Sequence, residues 1–261
     1  MTEDKKIRCS VIILAAGRGK RMKSELAKVL HSLCGRPMLA YSIDVAQQVG
    51  AEKIVVIVGH QGDRVRETFQ NQGLIFVEQL EQLGTGHAVL QAKDIFHHYD
   101  DIILILCGDV PLLQVSTVRN LLNRHVLEGA VLTVLTTILA DPTGYGRMIK
   151  GTKDGHVVKI VEEKDATLDE KKIREINTGI YCVDSKFLFE AVATIGNDNM
   201  QKEYYLTDIL EIACNKGLNV ISVVAADSKE VMGINTQEDI ERASKSALQN
   251  QQYQKKATLW K

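Results

Sequence analysis

Five apolar runs, each five or six residues long, are spread along the chain. Polar and apolar residues do not alternate along these runs. The lack of alternation is typical of strands that are covered on both faces. A sheet covered on both faces needs helices on each side, so the runs predict an α/β domain. The runs are Cys9 to Leu14, Ile54 to Val58, Ile102 to Leu106, Val131 to Leu135 and Val220 to Val224.

The segments between these runs have the periodicity of helices. Residues 37–50, PMLAYSIDVAQQVG, begin with a proline suited to a first helical turn and end with a glycine stop signal. Strands alternating with helices predict a Rossmann-like, doubly wound fold with a mostly parallel sheet. The other predicted helices span residues 61–70, 85–96, 115–128, 185–193 and 206–216.

The pattern changes after Thr137. Residues 144–165, GYGRMIKGTKDGHVVKIVEEKD, alternate about a KDG turn and predict a hairpin, and EINTGIYCVD at 175–184 adds another strand. We expect these strands to form a β-rich lobe over the carboxyl edge of the sheet.

The tail from Thr236 to Lys261 contains no glycine or proline and predicts one polar helix. Its apolar stripe is thin, consisting of Ile240, Ala243 and Ala247, so we expect the helix to project rather than to build core. This predicts a domain over residues 1–235 and a C-terminal helical arm over residues 236–261.

Composition excludes several classes of protein. The formal net charge of −1 argues against a dedicated nucleic-acid binder, which needs a broad basic face. No apolar run approaches the roughly 18 residues of a membrane span, and the N-terminus has no apolar signal core. Five cysteines without a CxxC pair are typical of a reducing compartment. We therefore expect a soluble, cytoplasmic protein with neither nucleic-acid nor membrane partners.

Residues 14–28, LAAGRGKRMKSELAK, follow the first predicted strand and combine two glycines with five cations. Ligands of open α/β sheets bind at the carboxyl ends of strands, where this loop is expected. A dinucleotide fingerprint would need a third glycine at Met22, and a Walker A loop would need Ser or Thr at Arg21. What remains is a loop whose N–H groups can meet an anion, with Arg21 and Lys28 after it. These two cations could also belong to a solvated charged loop.

The segment LAAGRGKRM followed by Lys28 resembles the signature of sugar-1-phosphate nucleotidyltransferases. Seven further motifs occur in the order found in the uridylyltransferase domain of bifunctional bacterial N-acetylglucosamine-1-phosphate uridyltransferases, and the resemblance runs from about Ile7 to Asn235. They are EQLGTGHA, GDVPL, DPTGYGR, VEEKDA, EINTGI, EYYLTDI and GIN.

The resemblance implies a Mg²⁺-dependent nucleotidyltransferase. In this reaction N-acetylglucosamine 1-phosphate displaces pyrophosphate in line from the α-phosphorus of UTP, giving UDP-N-acetylglucosamine for peptidoglycan and lipopolysaccharide synthesis. Nucleophile and electrophile are both anionic, so cations and a metal matter more than a protein nucleophile. Arg21 would bind the leaving pyrophosphate and Lys28 the reacting phosphates. Asp109 and Asn235 would hold Mg²⁺, a role that suits their oxygens.

Alone, Asp109 could cap a turn and Asn235 could cap the final helix. The remaining positions of the family concern substrate binding. The uracil would be bound by Leu14, Ala15, Gly17, Gln79, Gln82, Gly84 and Thr85. The sugar would be bound by Gly146, Glu162 and Asn177, with Tyr205 and Thr207 lining the acetamido pocket. Gly108 would be a further substrate-binding residue.

The sequence departs from the family pattern at three positions. Ala27 replaces the usual Pro, Lys20 replaces a common Thr, and Cys107 occupies a site where close relatives often carry Tyr. The smaller Cys107 leaves the identity of the sugar open. Transfer of another nucleotide or sugar, and a sugar-nucleotide-binding protein without catalysis, remain alternatives. A Rossmann oxidoreductase is the weakest one, because the third glycine is missing.

A last difference concerns length. The family's bifunctional members continue into a left-handed β-helix that binds acetyl-CoA and forms the trimer, and this sequence contains none of it. We therefore expect neither acetyl transfer nor that trimer, although a homo-oligomer of another kind stays open.

Overall fold

The predicted strands lie in one central sheet. The computed structural model describes residues 7–96, 101–151 and 156–248. Within these ranges a nine-stranded sheet is accompanied by a small two-stranded one, formed by Ser32–Leu33 and Arg36–Pro37. The strands are β1 (Cys9–Ala15), β2 (Ser32–Leu33), β3 (Arg36–Pro37), β4 (Ile54–Val58), β5 (Ile75–Glu78), β6 (Ile102–Cys107), β7 (Leu132–Ile138), β8 (Arg147–Lys150), β9 (Val157–Val161), β10 (Glu175–Asp184) and β11 (Val220–Val224).

The sheet is mostly parallel, as predicted. Its main path runs β11-β7-β10-β6-β1-β4-β5. Strand β1 pairs in parallel with β4 and β6, β4 with β5, and β11 with β7. Strand β10 runs antiparallel between β6 and β7. The sequence did not reveal β5, because this edge strand is partly exposed throughout and forms no buried apolar run.

Helices cover both faces of the sheet, as the unalternating strands require. Val11 and Ile13 of β1 face one cluster, and Ile12 between them faces the other. Helices over Met38–Gln48, Gly62–Thr68 and Val115–Leu127 pack on the first face, and helices over Thr85–Leu90, Ser185–Val192 and Asp208–Asn215 pack on the second. The helices are α1 (Met38–Gln48), α2 (Gly62–Thr68), α3 (Thr85–Leu90), α4 (Lys93–Phe96), α5 (Val115–Leu127), α6 (Ser185–Val192), α7 (Asp208–Asn215) and α8 (Gln237–Leu248).

The single helix predicted over residues 85–96 is wrong, because the chain forms α3 and α4 with a turn between them. Within the described ranges, no helix is both long and apolar enough to cross a membrane.

The β-rich lobe lies at the carboxyl edge of the sheet, as predicted. Strands β8 and β9 form an antiparallel hairpin, and Arg147 of β8 pairs with Ile176 of β10. Because β10 runs against its neighbours, its first residues lie where β6 and β7 end. The KDG turn of the hairpin falls outside the described residues.

Helix α8 packs against the domain rather than projecting from it. Ala243 and Ala247 are buried in a cluster with Leu33, Tyr41 and Ile234. The prediction that the polar arm adds nothing to the core is therefore wrong over Gln237–Leu248. Ile240 packs against the same cluster, and the small size of the two alanines lets the helix lie close to β2. Residues 249–261 lie outside the described ranges, and the domain division at residue 235 stays a prediction.

Candidate active site

Four polar side chains from three distant segments meet at the carboxyl end of β6. The Lys28 ammonium hydrogen-bonds Oδ2 of Asp109 and also donates to Oδ1 of Asn235 at 2.7 Å. Arg21 donates from Nη2 to the same Asn235 oxygen at 2.8 Å. The Lys28 side chain is only 11% exposed and that of Asp109 27%. The structure therefore unites Arg21, Lys28, Asp109 and Asn235, which the sequence singled out separately.

The backbone around these residues explains how they are held. A Cβ on Gly19, whose φ is +60°, would lie 2.7 Å from Cβ of Lys28, so the loop and the lysine pack against each other. The carbonyl oxygen of Asp109 accepts from the N–H of Ile234 at 2.9 Å, which ties the GIN segment to the end of β6.

Asn235 itself is fixed by the start of α8. Its N–H donates to Oδ2 of Asp239 at 2.9 Å, as does that of Thr236 at 2.8 Å. The Asp239 N–H in turn donates to the Thr236 hydroxyl at 3.1 Å, which completes a reciprocal cap.

The oxygens of Asp109 and Asn235 are suited to a divalent cation. Both contact one positive charge, the Lys28 ammonium, so they already surround a point where a cation is stabilised. Mg²⁺ takes hard oxygen ligands and commonly needs only one or two protein carboxylates beside phosphates and water. Among the described residues, no three His, Cys, Asp or Glu side chains group together as metal ligands. The pair therefore fits an ion that shares its coordination with a substrate.

Residues 79–84 form a loop beside the glycine loop that follows β1, and with the first two residues of α3 they make up the segment that we call the 79–86 loop. Gln79 is buried, and its Nε2 lies 3.0 Å from both the Gly84 carbonyl oxygen and Nδ1 of His87. The Oε1 of Gln82 accepts from Nε of Arg18 at 2.7 Å, linking this loop to the glycine loop, which contains Gly17 and follows Leu14 and Ala15 at the end of β1. His87 and Arg18 were not singled out from the sequence, where each is one polar residue in a charged or amphipathic segment.

The 79–86 loop is joined to residues 203–207 by a main-chain seam. The Tyr204 N–H donates to the Leu83 carbonyl at 2.8 Å, and the Tyr204 carbonyl accepts from Gly86 at 2.8 Å. The hydroxyl of Thr85 accepts from the Leu206 N–H at 3.0 Å. Gly84 has a φ of +112°, and a Cβ there would lie 2.6 Å from the Tyr204 oxygen. Only glycine fits this crossing without strain.

The β-rich lobe brings together Gly146, Glu162 and Thr207. The Thr207 hydroxyl donates to Oε1 of Glu162 at 3.1 Å. A Cβ on Gly146 would lie 2.9 Å from Cγ2 of Ile160 and 3.5 Å from both Glu162 carboxylate oxygens, so this backbone passes directly beside the carboxylate. Burial raises the pKa of Glu162, an effect that the Thr207 hydrogen bond opposes.

Tyr205 lies close to this group. Its hydroxyl hydrogen-bonds Oδ2 of Asp165 at 3.0 Å, and burial is the main cause that raises its pKa to about 12. The tyrosine therefore stays protonated over the neutral range.

Asn177 joins the lobe to the sheet. Its N–H donates to the Gly146 carbonyl at 2.9 Å, and its side-chain amide bonds to Gly179 and Tyr181. Tyr181 was not identified from the sequence, because its position in an apolar strand is typical of an ordinary core residue. Gly108, between Cys107 and Asp109, donates its N–H to the Leu14 carbonyl at 2.9 Å. The ends of β1 and β6 are thereby held together below the four polar residues.

Comparison with known proteins identifies relatives of this chain. Residues 11–149, just over half of the 261 residues, match the model of the MobA-like NTP transferase domain. The bifunctional protein GlmU of Geobacter metallireducens is 51% identical over 241 residues, which are 92% of this chain and 50% of that protein. That of Halalkalibacterium halodurans is 47% identical over 224 residues, 86% of this chain and 49% of that protein. The chain spans about half the length of these curated relatives.

A solved structure shares the fold. The crystal structure of UDP-glucose pyrophosphorylase complexed with UDP-glucose matches with a TM-score of 0.74 and 16% sequence identity, covering 93% of this chain and 99% of that chain. The matched family model includes the segments that carry Arg21, Lys28 and Asp109. The chain therefore belongs to the MobA-like NTP transferase family and is a nucleotidyltransferase.

Proposed function

We propose that the protein catalyses Mg²⁺-dependent transfer of the uridylyl group from UTP to N-acetylglucosamine 1-phosphate, releasing pyrophosphate. The observation that carries this proposal is the convergence of Arg21 and Lys28 with Asp109 and Asn235 at the carboxyl end of β6. Two cations beside two hard-oxygen ligands suit a reaction in which anions must approach each other.

In the proposed reaction a phosphate oxygen of the sugar 1-phosphate attacks the α-phosphorus of UTP. The bond from that phosphorus to the oxygen bridging to the β-phosphorus breaks, and the electron pair leaves with pyrophosphate. Lys28 neutralises charge on the reacting phosphates and Arg21 on the leaving group. Mg²⁺, when bound to Asp109 and Asn235, would supply further charge neutralisation at the phosphates.

The 79–86 loop is proposed to bind uracil. Its amides and main-chain groups can complement the donor and acceptor edge of the base without a charged residue. The contacts of Gln79 with Gly84 and His87 support a preformed loop, which lowers the ordering cost of binding.

The β-rich lobe is proposed to bind the sugar. The Glu162 carboxylate would accept from sugar hydroxyls, and the Asn177 amide would bridge a hydroxyl and the acetamido group. Thr207 and Tyr205 lie next to Glu162 and to its neighbour Asp165, respectively, which supports a pocket for the acetamido group on that side.

The experiment is pyrophosphate release with Mg²⁺ and UTP. It should compare N-acetylglucosamine 1-phosphate with glucose 1-phosphate and N-acetylgalactosamine 1-phosphate, and then UTP with CTP and GTP. We expect preference for UTP and N-acetylglucosamine 1-phosphate. Preference for another pair would replace the proposed substrates, and UTP binding without release from any sugar would favour a binding protein without catalysis. The cytoplasmic location stays a prediction.

A further inference from the structure

The side-chain amide of Asn177 is held at both ends. Its Oδ1 accepts from the Gly179 N–H at 3.0 Å, and its Nδ2 donates to the Tyr181 hydroxyl oxygen at 2.7 Å. A flipped amide would turn its NH₂ group toward the Gly179 N–H, so these two partners define one orientation. One amide hydrogen and one lone pair of Oδ1 then remain for another molecule.

A bulge in β10 makes this arrangement possible. Four residues advance a straight strand by about 13 Å, too far for Asn177 to reach Tyr181. The step from Asn177 to Tyr181 instead faces only the step from Thr136 to Val134 on β7, so the strand is shortened here. Gly179, with a φ of +78°, lies in the middle of the bulge.

Cys107 lies against the bulge. Its thiol contacts the Gly179 carbonyl oxygen at 3.5 Å, and a Cβ on Gly179 would lie 3.0 Å from Sγ. A small side chain at residue 107 therefore lets the bulge approach the end of β6.

Tyr181 itself is 2% exposed, and it pairs with Ile105 of β6. Burial raises the pKa of Tyr181 well above its ordinary value, with Glu162 contributing, so the hydroxyl is neutral at any working pH. A neutral hydroxyl on a buried ring is well suited to hold an amide, since its charge does not change with pH.

We infer that Tyr181 is a positioning residue for the sugar 1-phosphate: its buried hydroxyl holds the Asn177 amide in the orientation that presents the remaining hydrogen and lone pair to the sugar. The inference rests on the proposed function, because it assumes that Asn177 contacts the sugar. It adds to the site a residue of the strand interior that makes no direct substrate contact.

The test compares the wild-type protein with Tyr181→Phe, which removes one oxygen atom and keeps the ring. We expect the KM for N-acetylglucosamine 1-phosphate to rise about tenfold, while the KM for UTP stays within twofold. Tyr41→Phe is the matched control. That tyrosine is also buried, its hydroxyl donates to the Leu33 carbonyl at 2.7 Å, and it lies in the cluster beneath α8. This control should leave both constants within twofold.

A double-mutant cycle separates positioning from general stability. In an Asn177→Ala background, Tyr181→Phe should cause no further loss of sugar affinity, because the group that it positions is gone. An unchanged KM in Tyr181→Phe, or a full additional loss in the Asn177→Ala background, would overturn the inference.

Calorimetric binding of UDP-N-acetylglucosamine to the same variants makes the inference independent of turnover. The proposed reaction would be contradicted if the wild-type protein binds UDP-N-acetylglucosamine but does not release pyrophosphate from UTP in the presence of the sugar 1-phosphate. A tenfold weaker binding by Tyr181→Phe would still support the inference in that case. If the wild-type protein neither binds nor turns over, both are overturned.

Discussion

The Lys28 ammonium nitrogen lies 2.7 Å from Oδ1 of Asn235 while it also hydrogen-bonds Asp109. One lysine thus engages both oxygens proposed to hold the metal. The ammonium contacts both oxygens at once, so we expect a cation that binds between them to displace Lys28. The phosphates of the nucleotide are the natural new partner for the released lysine.

Replacement of Lys28 by Met should therefore strengthen metal binding in the absence of nucleotide. We expect Mn²⁺, measured by the electron paramagnetic resonance of the free ion, to bind about fivefold to tenfold more tightly. Pyrophosphate release should fall at least a hundredfold, because a phosphate-binding charge is lost. Lys23→Met removes the same charge from an exposed position of the same loop and should change neither quantity more than twofold. Equal Mn²⁺ affinity in wild type and Lys28→Met would contradict the competition.

Replacement of Asp109 by Asn should abolish turnover without unfolding the protein. The amide keeps the shape of the carboxylate but removes its charge, so we expect pyrophosphate release to fall at least a hundredfold. The circular dichroism spectrum should be unchanged. Asp63→Asn, on the solvent side of α2, is the control and should retain wild-type activity. An active Asp109→Asn protein would remove the carboxylate from the mechanism.

Replacement of Gly84 by Ala should destabilise the protein by about 2–3 kcal/mol. The added methyl group would lie 2.6 Å from the Tyr204 oxygen, at a backbone φ of +112°. Gly196→Ala is the control, since a Cβ there has no atom within 4 Å and its φ is not positive. Urea denaturation of both variants measures the difference. If Gly84→Ala has the same urea midpoint as Gly196→Ala, the main-chain seam accommodates the added methyl group without loss of stability.

Asp208 should make the protein less stable as the pH rises. Burial, aided by Glu211 and Asp165, raises its pKa from 3.8 to about 6. A carboxyl group with a raised folded-state pKa binds a proton more tightly in the folded state, so its contribution is present below about pH 4 and lost as the pH rises through 6.

We therefore expect Asp208→Asn to be more stable than wild type by about 1–2 kcal/mol at pH 8 and equal to it near pH 4, after allowance for partial solvent screening. Thermal unfolding at several pH values measures this, with the exposed Asp198→Asn as the control. If the stability difference between Asp208→Asn and wild type is the same at pH 4 and pH 8, titration of Asp208 does not cause the pH dependence.

Much of the fold could be predicted from the sequence, because buried parallel strands and amphipathic helices leave strong periodic signals. The exceptions have physical causes. Strand β5 is a partly exposed edge strand, and its residues Ile75–Glu78 form no buried run. Helix α8 packs through Ala243, Ala247 and the partly buried Ile240, and the two alanines contribute little hydrophobicity but allow close approach. A hydrophobic pattern in the sequence is strong when an element buries many large apolar side chains. A helix such as α8 can also pack closely through small residues, which leave only a weak pattern.

The candidate site divides in the same way. Arg21 and Lys28 lie in a recognisable motif after β1, Asp109 in one after β6 and Asn235 in one before α8, so their convergence could be anticipated. The contact between Tyr181 and Asn177 could not, since it exists only because a bulge shortens β10. Arg18 and His87 likewise could not be identified from the sequence, because their contacts with Gln82 and Gln79 form only in the folded chain.

The seam between the 79–86 loop and Tyr204 consists largely of main-chain atoms on both sides. Its geometry therefore depends on the glycines and hardly on the neighbouring side chains. Leu83 contributes only its carbonyl oxygen to the seam, so we expect an exchange of its side chain to leave the two segments in the same relative position. A main-chain connection of this kind allows evolution, or a protein engineer, to change the ligand that either segment binds while the backbone of both segments stays in place.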